Sequence, residues 1–306
     1  MQKLTCLVTG GAGFVGSNLA IELENQGHNV IVIDNLFTGS KSNLEAFKGK
    51  FYQTDVSRPF EIKEKIDVIF HEAAITNPRF TDDTEMMGAN IEGFKLVVEL
   101  TKKKNSRLVY ASTANLYGNG PVPMSESQTP ELITAYGRSK LEMDNLTMHL
   151  KNKMHIVGLR YFNVFGPREE FKEKAASMVF HLMNQMKSGK RPRIFNHGEQ
   201  KRDHIYINDV VTATINAMNA RSGIYNVGSG VATSFNELVA TLNKTLRTEL
   251  KPDYFDMPYD PRTYQMNTQA DITLAKRELN WQPGYSLEKG IQETIDWYSK
   301  KEVSTR

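Results

Sequence analysis

Tyr136 and Lys140 stand four residues apart in "AYGRSKLEMDN", a segment whose apolar spacing predicts an amphipathic helix. Side chains at that interval lie one above the other on a helix, so a phenol and an ammonium share one face. A free phenol ionises near pH ~10, too high for a base at neutral pH, and a cation a few ångströms away stabilises the phenolate. Lysine suits this role because its compact ammonium can serve the phenol and a ribose hydroxyl together. The phenolate then takes a proton from a substrate hydroxyl while a hydride leaves the adjoining carbon. A hydroxyl donor completes such a site, and "YASTANLYG" offers two, Ser112 and Thr113, at the end of an expected strand.

A hydride needs an acceptor, and "VTGGAGFVG" supplies a place for one. Gly10, Gly13 and Gly16 follow an expected strand and open an expected helix at the spacing GxxGxxG. A tight turn, close backbone approach to a pyrophosphate, and close helix-to-strand packing each need a missing side chain. The helix N-terminus then faces the phosphates with its free N–H groups. About 20 residues on, the second strand ends in Asp34, placed to accept hydrogen bonds from an adenosine ribose, which favours NAD. Asn35 and Lys41 could receive a 2′-phosphate, so NADP stays open beside it. Asp55 ends the next expected strand and could meet the adenine side. No metal site is read from the sequence.

These residues need a scaffold, and the first half of the chain describes one. Short β-branched runs, "LTCLVTG", "NVIVIDN", "KFYQTD", "VIFHEAA" and "RLVYAST", alternate with helical patterns at Val15 to Asn25, Ile91 to Lys104 and Ala135 to Lys153. That alternation predicts parallel strands joined by crossover helices, with both faces of the sheet covered. "HIVGLRYFNV" reads as a further strand. Beyond Gly166 the rhythm loosens into a helix over Ser177 to Ser188, the strand "PRIF", a helix near Asp209 to Ala220, "IYNVGSG", and a helix over Phe235 to Leu246. A closing amphipathic helix sets Leu287, Ile291, Ile295 and Tyr298 on one side. The expected fold is α/β: a doubly wound parallel (Rossmann) sheet over residues 1–165, with a smaller, interleaved α/β substrate domain over 166–306. Part of 205–225 is expected to return to the Rossmann sheet.

Composition narrows the setting. With 306 residues, 40% hydrophobic and 24% charged, the chain reads as a soluble globular protein larger than one ordinary core. A net charge of +3 is too small to imply nucleic acid and fits an anionic small ligand. One cysteine, Cys6, excludes a disulfide scaffold and points to a reducing compartment. The start of the chain is too short in apolar residues for a signal peptide or a membrane span, so the expectation is a cytoplasmic protein. A homo-oligomer is expected.

Taken in order, "TGGAGFVG", "HEAA", "STANLYG", "YGRSK" and "RYFNVFGPR" resemble the extended short-chain dehydrogenase/reductases, in particular the nucleotide-sugar epimerases. The resemblance runs from Leu4 nearly to the end of the chain. It implies that Tyr136 is the base, Lys140 its electrostatic partner and ribose ligand, and Thr113 rather than Ser112 the hydroxyl on the substrate oxygen. Phe14 and Val15 would meet the pyrophosphate, Ala73 and Ala74 would line the cofactor, and Asn90 the nicotinamide side. Dehydratases of this kind carry an acidic pair after the Ser/Thr. Ala114 and Asn115 stand here and cannot transfer protons, which leaves redox epimerisation.

The stretch from Phe165 to Val210 resembles the ADP-glyceromanno-heptose 6-epimerases, through "GPRE", "AS", "FHL" and "KRD", as does "YQMNTQADIT" downstream. That likeness implies NADP, a place in lipopolysaccharide or cell-surface polysaccharide synthesis, and a second acid/base at Lys172 opposite the tyrosine. Asn163, His181, Phe195, Arg202 and Tyr264 would hold a nucleoside-diphosphate sugar, with the forked guanidinium of Arg202 on the diphosphate. By composition alone "EEFKEK" is a solvated charge run, and Arg202 could pair with Asp203. Glu173 and Lys174 replace the Gly and Ser that follow the lysine in those enzymes. The segment Leu36 to Lys65 looks more like the UDP-hexose 4-epimerases, and Thr76 to Asn90 follows neither group. A UDP-hexose 4-epimerase is thus the second reading, and a non-catalytic NAD(P)-sensing protein the reading from another class.

Overall fold

The computed structural model describes residues 2–76, 82–258, 260 and 264–304; part of the stretch Thr76 to Asn90 that matches neither epimerase group lies outside them. The first half runs β1 (Thr5–Thr9), α1 (Phe14–Asn25), β2 (Asn29–Asp34), β3 (Lys50–Gln53), β4 (Val68–His71), α2 (Asp83–Lys104), β5 (Arg107–Thr113), α3 (Ala135–Leu150) and β6 (Ile156–Tyr161). Then come β7 (Asn163–Phe165), α4 (Met178–Lys187), β8 (Arg193–Phe195), β9 (Lys201–Tyr206), α5 (Ile207–Ala217) and β10 (Gly223–Val227). The chain finishes with β11 (Ala232–Ser234), α6 (Phe235–Leu246), β12 (Asp253–Phe255), α7 (Thr273–Glu278) and α8 (Leu287–Ser304).

Seven strands form one sheet in the order β10-β6-β5-β4-β1-β2-β3, every pair parallel. The order reverses between β1 and β4, and in sheets of this type ligands bind outside the carboxyl ends at that switch point. Both faces are covered. Val8, Val32 and Val109 pack with residues of α1 and α5 on one side. Leu7, Leu108 and Tyr110 pack with Phe94 and Val97 of α2 and Met143 of α3 on the other. That two-sided burial is why these strands read as nearly continuous apolar runs. β7, β9 and β11 form a second sheet, and β8 pairs with β12. Among the described residues no helix is long and apolar enough to cross a membrane.

Several boundaries differ from the sequence expectation. α2 begins at Asp83 rather than Ile91, because Asp82 caps it by accepting from Thr84 N and Glu85 N; its polar first turns conceal the helix from a search for apolar spacing. α3 ends at Leu150, before Lys153. "HIVGLRYFNV" is two strands, since Phe162 turns out of the large sheet and β7 joins the small one. β9, β11, β12 and α7 were not expected at all: short, mixed-polarity segments carry little periodicity.

A buried polar cluster fixes α3 against the sheet. Arg160 Nε lies 2.9 Å from Asp144 Oδ2, with side chains 5% and 2% exposed. Tyr110 donates to Asp144 Oδ1 at 2.8 Å, Arg160 Nη1 donates to Tyr117 Oη at 2.8 Å, and Tyr117 donates to Asn226 Oδ1 at 2.7 Å. Removing one partner leaves an uncompensated buried charge, so Asp144→Ala is expected to lower the unfolding free energy by about 3–5 kcal/mol, measured by denaturant titration.

Candidate active site

The turn between β1 and α1 is a cradle that admits no side chains. Gly10 has φ +65°, and a Cβ there would come within 2.6 Å of Ala73 Cα and N. A Cβ on Gly16 would collide with the carbonyl oxygen of Gly10, and one on Gly13 would sit 3.1 Å from it. Gly13 caps α1 without any side-chain hydrogen bond, so the first N–H groups, those of Phe14, Val15 and Gly16, face outward for a pyrophosphate. The cradle therefore fits the expected dinucleotide. Asp34 closes it: Oδ2 accepts from Ala12 N at 3.0 Å and Oδ1 from Leu36 N at 2.7 Å. Burial pushes this carboxyl up while those two bonds pull it back. A carboxylate offers about four lone-pair sites, so the bracing leaves acceptors for a ribose.

The remaining cofactor candidates ring the same edge. Asn35 and Lys41 are exposed, Lys41 lying 5.5 Å from the Phe51 ring. Asp55 falls beyond the end of β3 instead of ending it, and accepts from Ser57 N and Oγ. Ala73 N donates to Thr9 Oγ1 at 3.3 Å. Asn90 is committed to structure: it exchanges hydrogen bonds with both backbone groups of Ile75 and donates to Ser139 Oγ.

Tyr136 enters α3 just after Thr134, which caps the helix, and its phenol hydrogen-bonds to Thr113 at the end of β5. Ser112 points to the other face, as alternation on a strand requires, and its buried Oγ has no partner. Lys140 is wholly buried; Nζ donates to Ala111 O at 2.7 Å and lies 5.9 Å from the Tyr136 ring centroid. The phenol itself corrects the sequence expectation. Burial, joined by the Glu72 charge and opposed by the Thr113 hydrogen bond, holds its pKa above the ordinary value. The ammonium does not offset the burial of the phenol, and the same dry surroundings lower Lys140 to about 8.

Phe171, Glu173 and Lys174 of "EEFKEK" are exposed, but Lys172 turns inward. It is partly buried, its ammonium 5.3 Å from the ring of Phe14 at the start of α1. Burial lowers its pKa and the Glu169 charge opposes this. Glu169, fully buried, accepts from Ser177 N and Oγ at 3.0 and 2.8 Å and so joins the "GPRE" turn to the cap of α4. Glu173 adopts φ +48°, a left-handed conformation that favours glycine. The backbone here is therefore strained.

The other predicted substrate residues gather around the small sheet. Arg202 Nη1 donates to Lys201 O and Met266 O, and its guanidinium lies 4.9 Å from the Tyr264 ring. It is not paired with Asp203, whose carboxylate accepts instead from Ser229, Gly230 N and Ala270 N. Phe195 meets Tyr264 edge-on at 5.6 Å. Asn163 donates to Thr268 Oγ1 at 3.1 Å. His181, on α4, is half-buried with its ring 6.1 Å from Phe180. Sequence reasoning missed Glu72 and Glu169, though both stood inside quoted motifs; a carboxylate embedded in an apolar or turn motif was the available signal.

Fold and site together define a dinucleotide-binding protein of the doubly wound α/β class, with a Tyr–Lys pair and a hydroxyl at the edge of the cofactor cradle. The chain belongs to the NAD dependent epimerase/dehydratase family, whose model matches residues 6–228, and its cofactor is accordingly NAD or NADP. It is 36% identical to an ADP-L-glycero-D-manno-heptose-6-epimerase of Brachyspira hyodysenteriae, over 96% of this chain and 98% of that protein. The crystal structure of the Helicobacter pylori ADP-L-glycero-D-manno-heptose-6-epimerase superposes with a TM-score of 0.91 at 37% identity, covering 97% of this chain and 96% of the other. A Thermotoga maritima UDP-glucose 4-epimerase, solved with UDP-glucose, gives 0.89 at 29% identity over 98% and 100%.

Gly10→Ala places a side chain in left-handed backbone and against Ala73. It is expected to cost about 1–3 kcal/mol of stability and to weaken dinucleotide binding, checked by denaturation and by NAD(P)H fluorescence titration.

Proposed function

We propose that this protein is a nucleoside-diphosphate-sugar epimerase of the ADP-heptose 6-epimerase kind. The observation that carries this reading is the second amine: Lys172 lies at the glycine cradle against Phe14, while Tyr136 and Lys140 approach from α3. Inverting a carbinol by oxidation and re-reduction exposes both faces of a transient carbonyl, and two acid/base groups relieve one residue of serving both epimers.

In this mechanism Thr113 holds the reacting hydroxyl and Tyr136 takes its proton, with Lys140 stabilising the phenolate. NAD or NADP, which the Gly10–Gly16 cradle and Asp34 would hold, would supply the hydride acceptor and donor when bound. The carbonyl compound turns over within the site, and Lys172 serves the proton transfer on the opposite face. Arg202, freed of any carboxylate partner among the described residues, is the diphosphate ligand, with Tyr264 and Phe195 beside it. No net redox change results, so added NADH is not consumed. Glu173 beside Lys172 is the feature that bears on which nucleotide is accepted.

Two variants test this with ADP-heptose and UDP-hexoses as substrates and isomer analysis as readout. Tyr136→Phe is expected to slow epimerisation by about 10²–10⁴-fold with cofactor still bound; unchanged turnover would remove Tyr136 as the base. Lys172→Met is expected to slow the heptose reaction within the same range. A UDP-hexose reaction that survives Lys172→Met nearly intact would replace this reading with that of a 4-epimerase using Tyr136 alone.

A further inference from the structure

The helix that opens the glycine cradle carries a polar device one turn further on. Asn18 follows Phe14 by four residues on α1, so the two share a face, and it is 9% exposed. One Nδ2 hydrogen goes back to Phe14 O at 2.9 Å and the other to Pro167 O at 3.1 Å, while Oδ1 accepts from Arg168 Nη1 at 2.7 Å. These partners allow the amide one orientation, because carbonyls can only accept and a guanidinium can only donate. Asn18 therefore ties the "GPRE" turn to α1.

That turn needs holding. Arg168 adopts φ +73° and Glu173 φ +48°, so the segment between them is bounded by two residues in left-handed backbone, which persists where the surroundings impose it. Arg168 is gripped by Asn18 and by Trp297 of α8, whose ring lies 5.4 Å from its guanidinium. α8 takes the next residues as well. Tyr298 Oη accepts from Glu169 N at 3.2 Å and donates to Glu170 Oε2 at 2.8 Å, and Lys301 Nζ donates to Glu170 Oε1. The segment is thus clamped between α8 and α1.

The clamp ends on Lys172. Its N–H donates to Glu169 O at 3.0 Å, and its ammonium returns to α1, 5.3 Å from the Phe14 ring. Phe14, Asn18, the Pro167–Arg168 turn, Glu169 and Lys172 form a closed circuit, in which Asn18 joins the helix to the turn. The same helix presents its first N–H groups to a pyrophosphate. We propose that Asn18 is a positioning residue: it sets Lys172 in register with the dinucleotide by tying the turn that carries the lysine to the helix that receives the phosphates.

This proposal rests on the epimerase reading for what Lys172 does, but the placement of Lys172 is measurable without turnover. In the full chain as purified, in wild type, Asn18→Ala and Arg168→Met, each lysine is scored by mass spectrometry for reductive methylation. Lys174, exposed in the same segment, is the reference, and Lys140, wholly buried, reports general loosening. Loss of a hydrogen bond to a charged group is expected to raise methylation of Lys172 relative to Lys174 by about tenfold in both variants, with Lys140 unchanged. Methionine at 168 still packs on Trp297, so Arg168→Met breaks the link from the turn side and stands in if Asn18→Ala fails to fold. An unchanged ratio of Lys172 to Lys174, or a rise matched at Lys140, overturns the proposal.

Turnover gives a second reading through a double-mutant cycle. Asn18→Ala is expected to slow epimerisation by about tenfold, and by less than about twofold when Lys172→Met is already present, since the two act through one group. Equal slowing in both backgrounds overturns the positioning role. If Lys172→Met alone leaves turnover intact, the two-base reading falls, and the methylation ratio decides by itself whether Asn18 places Lys172.

Discussion

An ammonium with no exposure to water is the constraint on which the site depends. Lys140 can be buried because α3 is held by a second charged group one turn along, Asp144, locked to Arg160 and Tyr110, and because the carbonyl of Ala111 receives its Nζ. A dry setting strengthens every electrostatic interaction made in it and penalises every charge that enters it. Tyr136 feels both effects. Its phenol is next to a cation and still held up by burial.

The parallel sheet explains why groups so distant in sequence meet. Each strand delivers its carboxyl end to one edge: β1 the glycine cradle, β2 Asp34, β4 Glu72, β5 Thr113. Asp34 shows how closely structure and binding share atoms there, since the carboxylate expected to meet a ribose also accepts from Ala12 N inside the cradle. Asn90 is a harder case of the same sharing, with its amide already satisfied by Ile75 and Ser139.

On the substrate side, the decisive elements are irregular. Lys172 lies in a short 3-10 segment fastened by Glu169 to the cap of α4, and Arg202 is presented by β9 against the rings of Phe235 and Tyr264. Among the described residues Arg202 has no carboxylate partner, and burial lowers its pKa. The strained backbone at Glu173 lies in the same loop as Lys172.

The fold class, the glycine turn and the Tyr136–Lys140 face were legible because each is a local pattern: a period of two or 3.6, a missing Cβ, a spacing of one helical turn. Asp34 and Thr113 were legible for the same reason, as strand ends. The early start of α2 and the strands β9, β11 and β12 were not, since capping and short edges leave no periodicity. That Lys140 donates to the Ala111 carbonyl, that Arg202 ignores its neighbour Asp203, and that the phenol is raised rather than lowered were decided only by tertiary structure. Local sequence determines which groups project from one face of one element. Protonation and pairing depend on burial and on charges brought in from other strands, and those distances come into being only when the sheet closes.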